Sequence, residues 1–180
     1  ARAISILPQV LPSPRVTVQD LVMFGRAPYL DFGKRPQKQD FDAVEEAICT
    51  MSLPGFDQRQ VCDLSGGERQ RAYLAMILAQ QTRLVVLDEP ATFMDLSFEA
   101  SLLATLSALK SKHKKTLLVV MHNLSQAVRY ADDILVMEDG GVRYFGSVRD
   151  CLQQNVIETV FGVKKHVFYE DGAQFVLFSP

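Results

Sequence analysis

The sequence predicts an α/β fold built on a parallel β-sheet. From residue 65 onward the pattern runs helix, strand, helix, strand, which is typical of parallel α/β architecture. Residues 84–87 and 116–121 are short, wholly apolar runs, as expected of strands covered on both faces. A helix between them would supply the right-handed crossover that parallel neighbours need. Its apolar stripe consists of Leu102, Leu103, Leu106 and Leu109.

Composition excludes several other classes of protein. The chain has 180 residues, of which 48% are hydrophobic and 22% charged, which suits one ordinary domain or slightly more. Lys plus Arg total 19 against 21 for Asp plus Glu, so the charge does not favour nucleic acid as a partner. The longest apolar runs are far shorter than the roughly 20 residues that cross a bilayer. We therefore expect a soluble or peripheral protein.

The first residues predict an edge strand with missing neighbours. Ile4, Ile6 and Leu7 have the character of a strand, which Pro8 would end. The sequence starts without Met and shows no targeting segment. We therefore expect an N-terminal truncation, with further strands of the sheet lying upstream.

Two helices are predicted after this strand, and two hairpins near the other end. Asp42 and Glu45 have the spacing of a capping box that would open the second helix, after a loop over residues 27–39. The apolar positions of the two helices are Val18, Leu21, Val22 and Gly25, then Phe41, Val44, Ala47, Ile48 and Met51. The hairpins are expected to pair residues 133–137 with 142–145, and residues 167–169 with 175–178.

A Ser-Gly-Gly-Glu stretch, Ser65 to Glu68, stands directly before a predicted helix. Adjacent glycines at a helix N-terminus leave backbone N–H groups that can bind a phosphate. The alternative is a capping box alone, because Ser65 and Glu68 have the S-x-x-E spacing.

Polar residues also follow the ends of three predicted strands. Asp88 and Glu89 come directly after the run at residues 84–87, where ligands bind in open α/β sheets. One carboxylate can hold Mg²⁺ through water, and the next can accept a proton from an attacking water. His122 follows the next strand and should lie beside them, and Gln9 follows the first. The alternatives are a plain turn for the carboxylates and a surface or capping role for His122.

Taken together, these residues resemble the ATP-binding cassette (ABC) ATPases in order and spacing, over essentially the whole chain. The matching positions are Gln9, residues 64–71, residues 84–90, Asp95 and His122. The resemblance implies a P-loop NTPase-like parallel-sheet core, truncated at the N-terminus, with an α-helical subdomain. It divides the chain into the Q-loop and core edge (1–16), the α-helical subdomain (17–64), the signature helix, Walker B, D-loop and switch-histidine part of the core (65–146), and the C-terminal helices and hairpin (147–180).

The resemblance also implies roles for these residues, with ATP and Mg²⁺ as cofactors. Glu89 would be the catalytic base, assisted by the switch residue His122 and the Q-loop residue Gln9. Asp88 of Walker B and Gln9 would hold Mg²⁺, partly through water. Ser65, Gly66, Gly67 and Glu68 of the signature motif and Asp95 of the D-loop would contact nucleotide. The D-loop departs from the family pattern at residues 91–95.

Within the family, the chain is most similar to the ATPases of bacterial importers for iron-siderophore, haem and vitamin B12 complexes. The residues that carry this similarity are 7–9, 17–22, 25–29 and 160–163. It implies a homodimer with a second ATPase subunit, transmembrane permease subunits, and indirectly a substrate-binding protein, at the cytoplasmic face of the bacterial inner membrane. Met23, Phe24 and Tyr29 are candidates for the permease contact, although an ordinary core role is equally open.

The phosphate-binding loop of this family, which ends Gly-Lys-Ser or Gly-Lys-Thr, has no counterpart in the sequence. The pair Gly33-Lys34 is followed by Arg35 and has no strand before it, so we reject it. The chain is expected to be the C-terminal part of an ATP hydrolase and to be inactive alone. Two alternatives are an ABC ATPase without a transport role and a non-catalytic fragment that cannot bind ATP by itself.

Overall fold

The structure is a computed structural model that describes residues 2–30, 35–91, 96–170 and 172–180, with the backbone alone at 96–98, 112 and 113. The chain divides into two units, Ala1–Val120 and Met121–Pro180. The first contains β1 (Ile4–Leu7), α1 (Val18–Phe24), α2 (Lys38–Thr50), α3 (Gly66–Ala79), β2 (Leu84–Asp88), α4 (Leu96–His113) and β3 (Thr116–Val120). The second contains α5 (Leu124–Tyr130), β4 (Asp133–Glu138), β5 (Gly141–Ser147), α6 (Val148–Gln153), α7 (Val156–Phe161), β6 (Lys164–Glu170) and β7 (Ala173–Ser179).

The first unit is built on a parallel sheet with the strand order β1-β2-β3. Leu84 lies opposite Ile4 on one side and Thr116 on the other. The two apolar runs are therefore neighbouring parallel strands, with α4 between them in the chain. This confirms the predicted parallel α/β architecture.

The two faces of this sheet are buried to different degrees, and even on the better-buried face the β3 side chains Leu117 and Val119 are only half-buried. Side chains alternate between the two faces of a strand, and on one face Leu7, Val85 and Leu87 are buried. On the other face Leu84 is half-buried, and Ile6 is 64% exposed. The expectation that β2 is covered on both faces is therefore correct for one face alone.

The second predicted helix begins earlier than expected. Helix α2 starts at Lys38, and the backbone N–H of Gln37 donates to the Asp40 carboxylate at 2.9 Å. Asp42 and Glu45 lie inside the helix, so the predicted capping box at these two residues is wrong. Acidic residues recur along this helix, and spacing alone does not show which of them meets the free N–H groups of the first turn.

Helices α1 and α2 and the end of α3 pack closely together around Gly25 and Arg26. A Cβ added at Gly25 would lie 2.1 Å from the backbone oxygen of Met76, so only glycine fits at this crossing. The next residue, Arg26, is 4% exposed. Its Nε donates to Asp40 Oδ1 at 2.9 Å, and its Nη1 donates to the Ala79 carbonyl at 2.8 Å. The two residues at the end of α1 thus fix the packing of three helices.

The second unit contains the two predicted hairpins. Strands β4 and β5 pair antiparallel, and Asp139 and Gly140 between them have φ values of 51° and 76°. Positive φ at both central residues is the conformation of a type I′ turn, which matches the twist of the strands. Strands β6 and β7 pair in the same way. In the described ranges of the chain, no helix combines the length and the apolar character needed to cross a bilayer.

Candidate active site

Parallel pairing brings the ends of β1 and β2 to the same edge of the sheet. Leu7 lies opposite Leu87, and the chain continues from the first strand to Gln9 and from the second to Asp88 and Glu89. Gln9 Nε2 donates a hydrogen bond to Glu89 Oε2 at 2.9 Å, across 80 residues of sequence. The structure therefore joins two of the residues that the sequence analysis selected independently.

The backbone at Glu89 changes direction sharply. Its φ is 44°, in the left-handed region that residues other than glycine rarely adopt, and such conformations are concentrated at functional sites. The N–H of Glu89 donates to the carbonyl of Val120 at 3.2 Å, which ties the turn to the end of β3. Asp88 is the last residue of β2 and is exposed. Both carboxylates therefore lie at the strand-end edge, with the Glu89 side chain held by Gln9.

The donor set at this edge suits Mg²⁺. Magnesium prefers oxygen ligands and is usually bound through one or two carboxylates plus the phosphates of a substrate. Asp88, Glu89 and the amide oxygen of Gln9 are donors of this kind. Among the residues that the structure describes, no group of three or more His, Cys, Asp or Glu side chains is placed to hold a metal. The oxygen donors at the two strand ends are of the kind that Mg²⁺ takes together with substrate phosphates.

The Ser-Gly-Gly-Glu stretch forms the start of α3. Ser65 is the N-cap, and its hydroxyl and backbone N–H both donate to Glu68 Oε2 at 2.8 Å, while the Glu68 N–H donates back to the Ser65 hydroxyl at 3.3 Å. The N–H and hydroxyl of Ser65 hold the pKa of Glu68 below its usual value, so this carboxylate is ionised at neutral pH. A Cβ on Gly66 would meet nothing within 4 Å. The capping box is thus present, with open space beside it.

The two remaining site residues of the sequence analysis are His122 and Asp95. His122 is exposed and lies in the second unit, just before α5. Its predicted place beside Asp88 and Glu89 stays a prediction. Asp95 lies outside the described residues.

Comparison with known proteins shows which family the chain belongs to. The family described as "ABC transporter" matches residues 1–92, which include Gln9, the Ser65–Glu68 loop and both carboxylates. The chain belongs to the ABC transporter family. This membership agrees with the resemblance that the motifs predicted.

Two similar members of the family are ATP-binding proteins of siderophore import systems. The petrobactin import ATP-binding protein FpuC of Bacillus anthracis is 34% identical over 181 residues, which cover 100% of this chain and 66% of the relative. The ferric enterobactin transport ATP-binding protein FepC of Escherichia coli is 38% identical over 165 residues, covering 91% of this chain and 61% of the relative. The chain thus spans less than two thirds of the length of either ABC protein.

A solved structure agrees with this grouping. An inward-facing metal-chelate type ABC transporter superposes with a TM-score of 0.90 at 26% identity, covering 99% of this chain and 72% of that chain. The arrangement of helices and strands described above is therefore that of an ABC ATPase.

Sequence reasoning missed Arg59. Its Nη1 lies 3.4 Å from Glu68 Oε1, so this arginine pairs with the carboxylate that caps α3. Arg59 stands in the irregular segment before α3, nine residues from Glu68. No helical or strand spacing relates two such residues, so the sequence carried no signal for the pair.

Proposed function

We propose that this chain is part of the ATPase subunit of a bacterial ABC importer that takes up an iron-siderophore, haem or cobalamin-type substrate. The observation that carries the catalytic part is the Gln9–Glu89 hydrogen bond of 2.9 Å at the ends of β1 and β2. Support for the transported class comes from the relatives, whose names specify petrobactin import and ferric enterobactin transport. The ATPase does not need to contact this cargo, so the relatives support a class rather than one compound.

In this proposal Glu89 is the general base. One of its carboxylate oxygens accepts a proton from the water that attacks the γ-phosphate of ATP. Gln9 donates to Oε2 and so restricts rotation of the carboxylate, which keeps the base in one orientation. His122 would assist from the end of β3, where the resemblance assigns the switch histidine.

Asp88 and Gln9 would hold Mg²⁺, partly through water. When bound, this ion offsets negative charge on the phosphates as they react. The side chains contribute oxygen donors at the strand ends, and Gln9 would serve both the ion and Glu89.

The signature residues Ser65, Gly66, Gly67 and Glu68, with Asp95, would contact ATP bound by a second copy of the subunit. Free N–H groups and the dipole at the start of α3 suit a phosphate there. Residues 17–64, the α-helical subdomain, would face the permease subunits, and Phe24 at the end of α1 is 58% exposed. The subunit would lie at the cytoplasmic face of the inner membrane and communicate with a substrate-binding protein only through the permease.

Replacement of the base tests this function. In the complete ATPase subunit, Glu89→Gln keeps the size of the side chain but cannot accept the proton. We expect phosphate release to fall by about 10²–10⁴-fold while ATP binding is retained. Glu138→Gln, in the exposed β4–β5 hairpin, is the matched control and should leave turnover unchanged. Near-normal phosphate release by Glu89→Gln would contradict the assignment of the base.

A further inference from the structure

The two carboxylate oxygens of Glu68 have different partners. Oε2 accepts the N–H and the hydroxyl of Ser65, each at 2.8 Å. Oε1 faces Arg59, whose Nη1 lies 3.4 Å away. Because each oxygen has its own partner, rotation of the carboxylate is restricted, and with it the direction of the Ser65 hydroxyl.

Arg59 is itself held in place by neighbouring groups. Its guanidinium lies over the ring of Phe56, 4.3 Å from the centroid. Its backbone carbonyl accepts the N–H of Val18 at 3.0 Å, and the N–H of Val61 donates to the carbonyl of Val16 at 2.9 Å. The segment that carries Arg59 is therefore attached to the first turn of α1, and the side chain extends from there to the start of α3.

The charge of Arg59 also affects how a phosphate would bind at the start of α3. Glu68 lies in the first turn of α3, where the helix dipole and the free N–H groups would attract a phosphate. An ionised carboxylate at the same place repels that phosphate. The positive charge of Arg59 offsets this repulsion without displacing the hydrogen bonds that Ser65 makes.

We propose that Arg59 is a positioning residue of the ATP site, and this rests on the function proposed above. It holds the capping box of Ser65 and Glu68 in place, so that the N–H groups of Gly66 and Gly67 at the start of α3 stay directed at the phosphates of ATP on the second subunit. It also offsets the charge of the Glu68 carboxylate and ties this loop to the first turn of α1. Arg59 itself need not touch the nucleotide.

Amide hydrogen exchange tests the positioning part without any need for activity. The N–H of Ser65 is bonded to Glu68, so a loosened carboxylate exposes it more often. For Arg59→Gln we expect exchange at Ser65 to be about two- to fivefold faster, the range of a partly exposed ion pair. Arg143→Gln removes the same charge from the exposed Arg143–Glu138 pair and should leave Ser65 unchanged. Equal exchange in wild type and Arg59→Gln would overturn the proposal.

The dependence of hydrolysis on ATP concentration tests the charge part. In the complete subunit, Arg59→Gln should raise KM for ATP about two- to fivefold with little change in kcat, and about 0.5 M salt should shrink the difference. Arg59→Lys keeps the charge and should restore part of the affinity. In a Glu68→Gln background, Arg59→Gln should have no further effect, because the charge that it offsets is gone.

Failure of the proposal on Arg59 and failure of the proposed function would give different results. The same rise in KM for Arg59→Gln in the Glu68→Gln background would overturn the proposal on Arg59, because the arginine would then act independently of that carboxylate. A complete wild-type subunit that hydrolyses no ATP would overturn the proposed function instead. The amide exchange at Ser65 distinguishes these cases, since it requires no nucleotide.

Discussion

At the scale of single residues, the buried pair of Arg26 and Asp40 shows how much a carboxylate depends on its surroundings. Asp40 is 2% exposed, accepts the Gln37 N–H, and faces the Arg26 guanidinium at 2.9 Å. The Gln37 N–H and the arginine outweigh burial, so the pKa of Asp40 lies below its usual 3.8. A lowered pKa means that the folded state binds a proton less readily than the unfolded state. The pair therefore stabilises the fold above the unfolded pKa, and this is lost as the pH falls through the folded pKa.

Asp40→Asn should consequently destabilise the protein at neutral pH and do so less in acid. Asparagine keeps the shape but leaves the Arg26 charge buried without a counter-charge, so we expect a loss of about 3–5 kcal/mol in the free energy of unfolding at pH 7. The difference from wild type should shrink as the pH falls through 3.8 and below. Urea unfolding at a series of pH values measures both. The exposed control Glu138→Gln should lower the free energy of unfolding by less than about 1 kcal/mol. If the loss of stability for Asp40→Asn did not vary with pH, the role given to the Asp40 charge would be wrong.

At the scale of the elements, the crossing of α1 and α3 depends on a missing side chain. Gly25 approaches the backbone of Met76 so closely that a Cβ would lie 2.1 Å from its oxygen. A backbone oxygen cannot rotate away as a side chain can, so the helices themselves would have to separate. This crossing places the start of α1, and with it the segment that carries Arg59, relative to the signature loop.

Gly25→Ala should therefore cost about 1–3 kcal/mol of stability, as expected when extra volume is forced into a packed contact. Gly66→Ala provides the control, since a Cβ there meets nothing within 4 Å and the residue lies in the first turn of a helix. Its stability should stay within about 1 kcal/mol of wild type. Denaturant unfolding of the two variants compares them directly. Equal stability of both would show that α1 and α3 can move apart freely.

At the scale of the whole molecule, the proposed assembly places parts of one ATP site on two subunits. Glu89 of one copy would act together with Ser65 of the other. Within one subunit, replacing Glu89 would then damage one ATP site of the dimer, whereas replacing Ser65 would damage the other site. This arrangement can be tested with two inactive variants of the complete subunit, Glu89→Gln and Ser65→Arg.

Mixing these two inactive variants should restore hydrolysis. In a mixed dimer, one site receives Glu89 from the Ser65→Arg copy and Ser65 from the Glu89→Gln copy, so it is intact, whereas the other site has both defects. Random pairing would leave about a quarter of the sites intact, which sets the upper limit of the activity recovered. Phosphate release from the mixture, compared with each variant alone, is the measurement. No recovery from a mixture that has exchanged subunits would mean that Ser65 acts within its own subunit.

Local patterns along the chain were enough to predict the strands, the first four helices and the candidate chemistry of this protein. Apolar runs and turn residues predicted β1, β2, β3 and both hairpins, because a local pattern reports which positions are buried and where the chain reverses. The same local reasoning selected Gln9, Ser65 to Glu68, Asp88 and Glu89, since each group stands at the end of a strand or the start of a helix.

Which of these groups contact each other became evident from the packing of the elements in the folded chain. The Gln9–Glu89 bond follows from the register of β1 and β2, which no spacing along the chain records. The contacts of Arg26 with Asp40 and of Arg59 with Glu68 arise where elements or loops cross, and the start of α2 at Lys38 depends on which carboxylate the packing turns toward Gln37. Periodicity reports burial one element at a time, whereas a contact between distant residues depends on how several elements pack together.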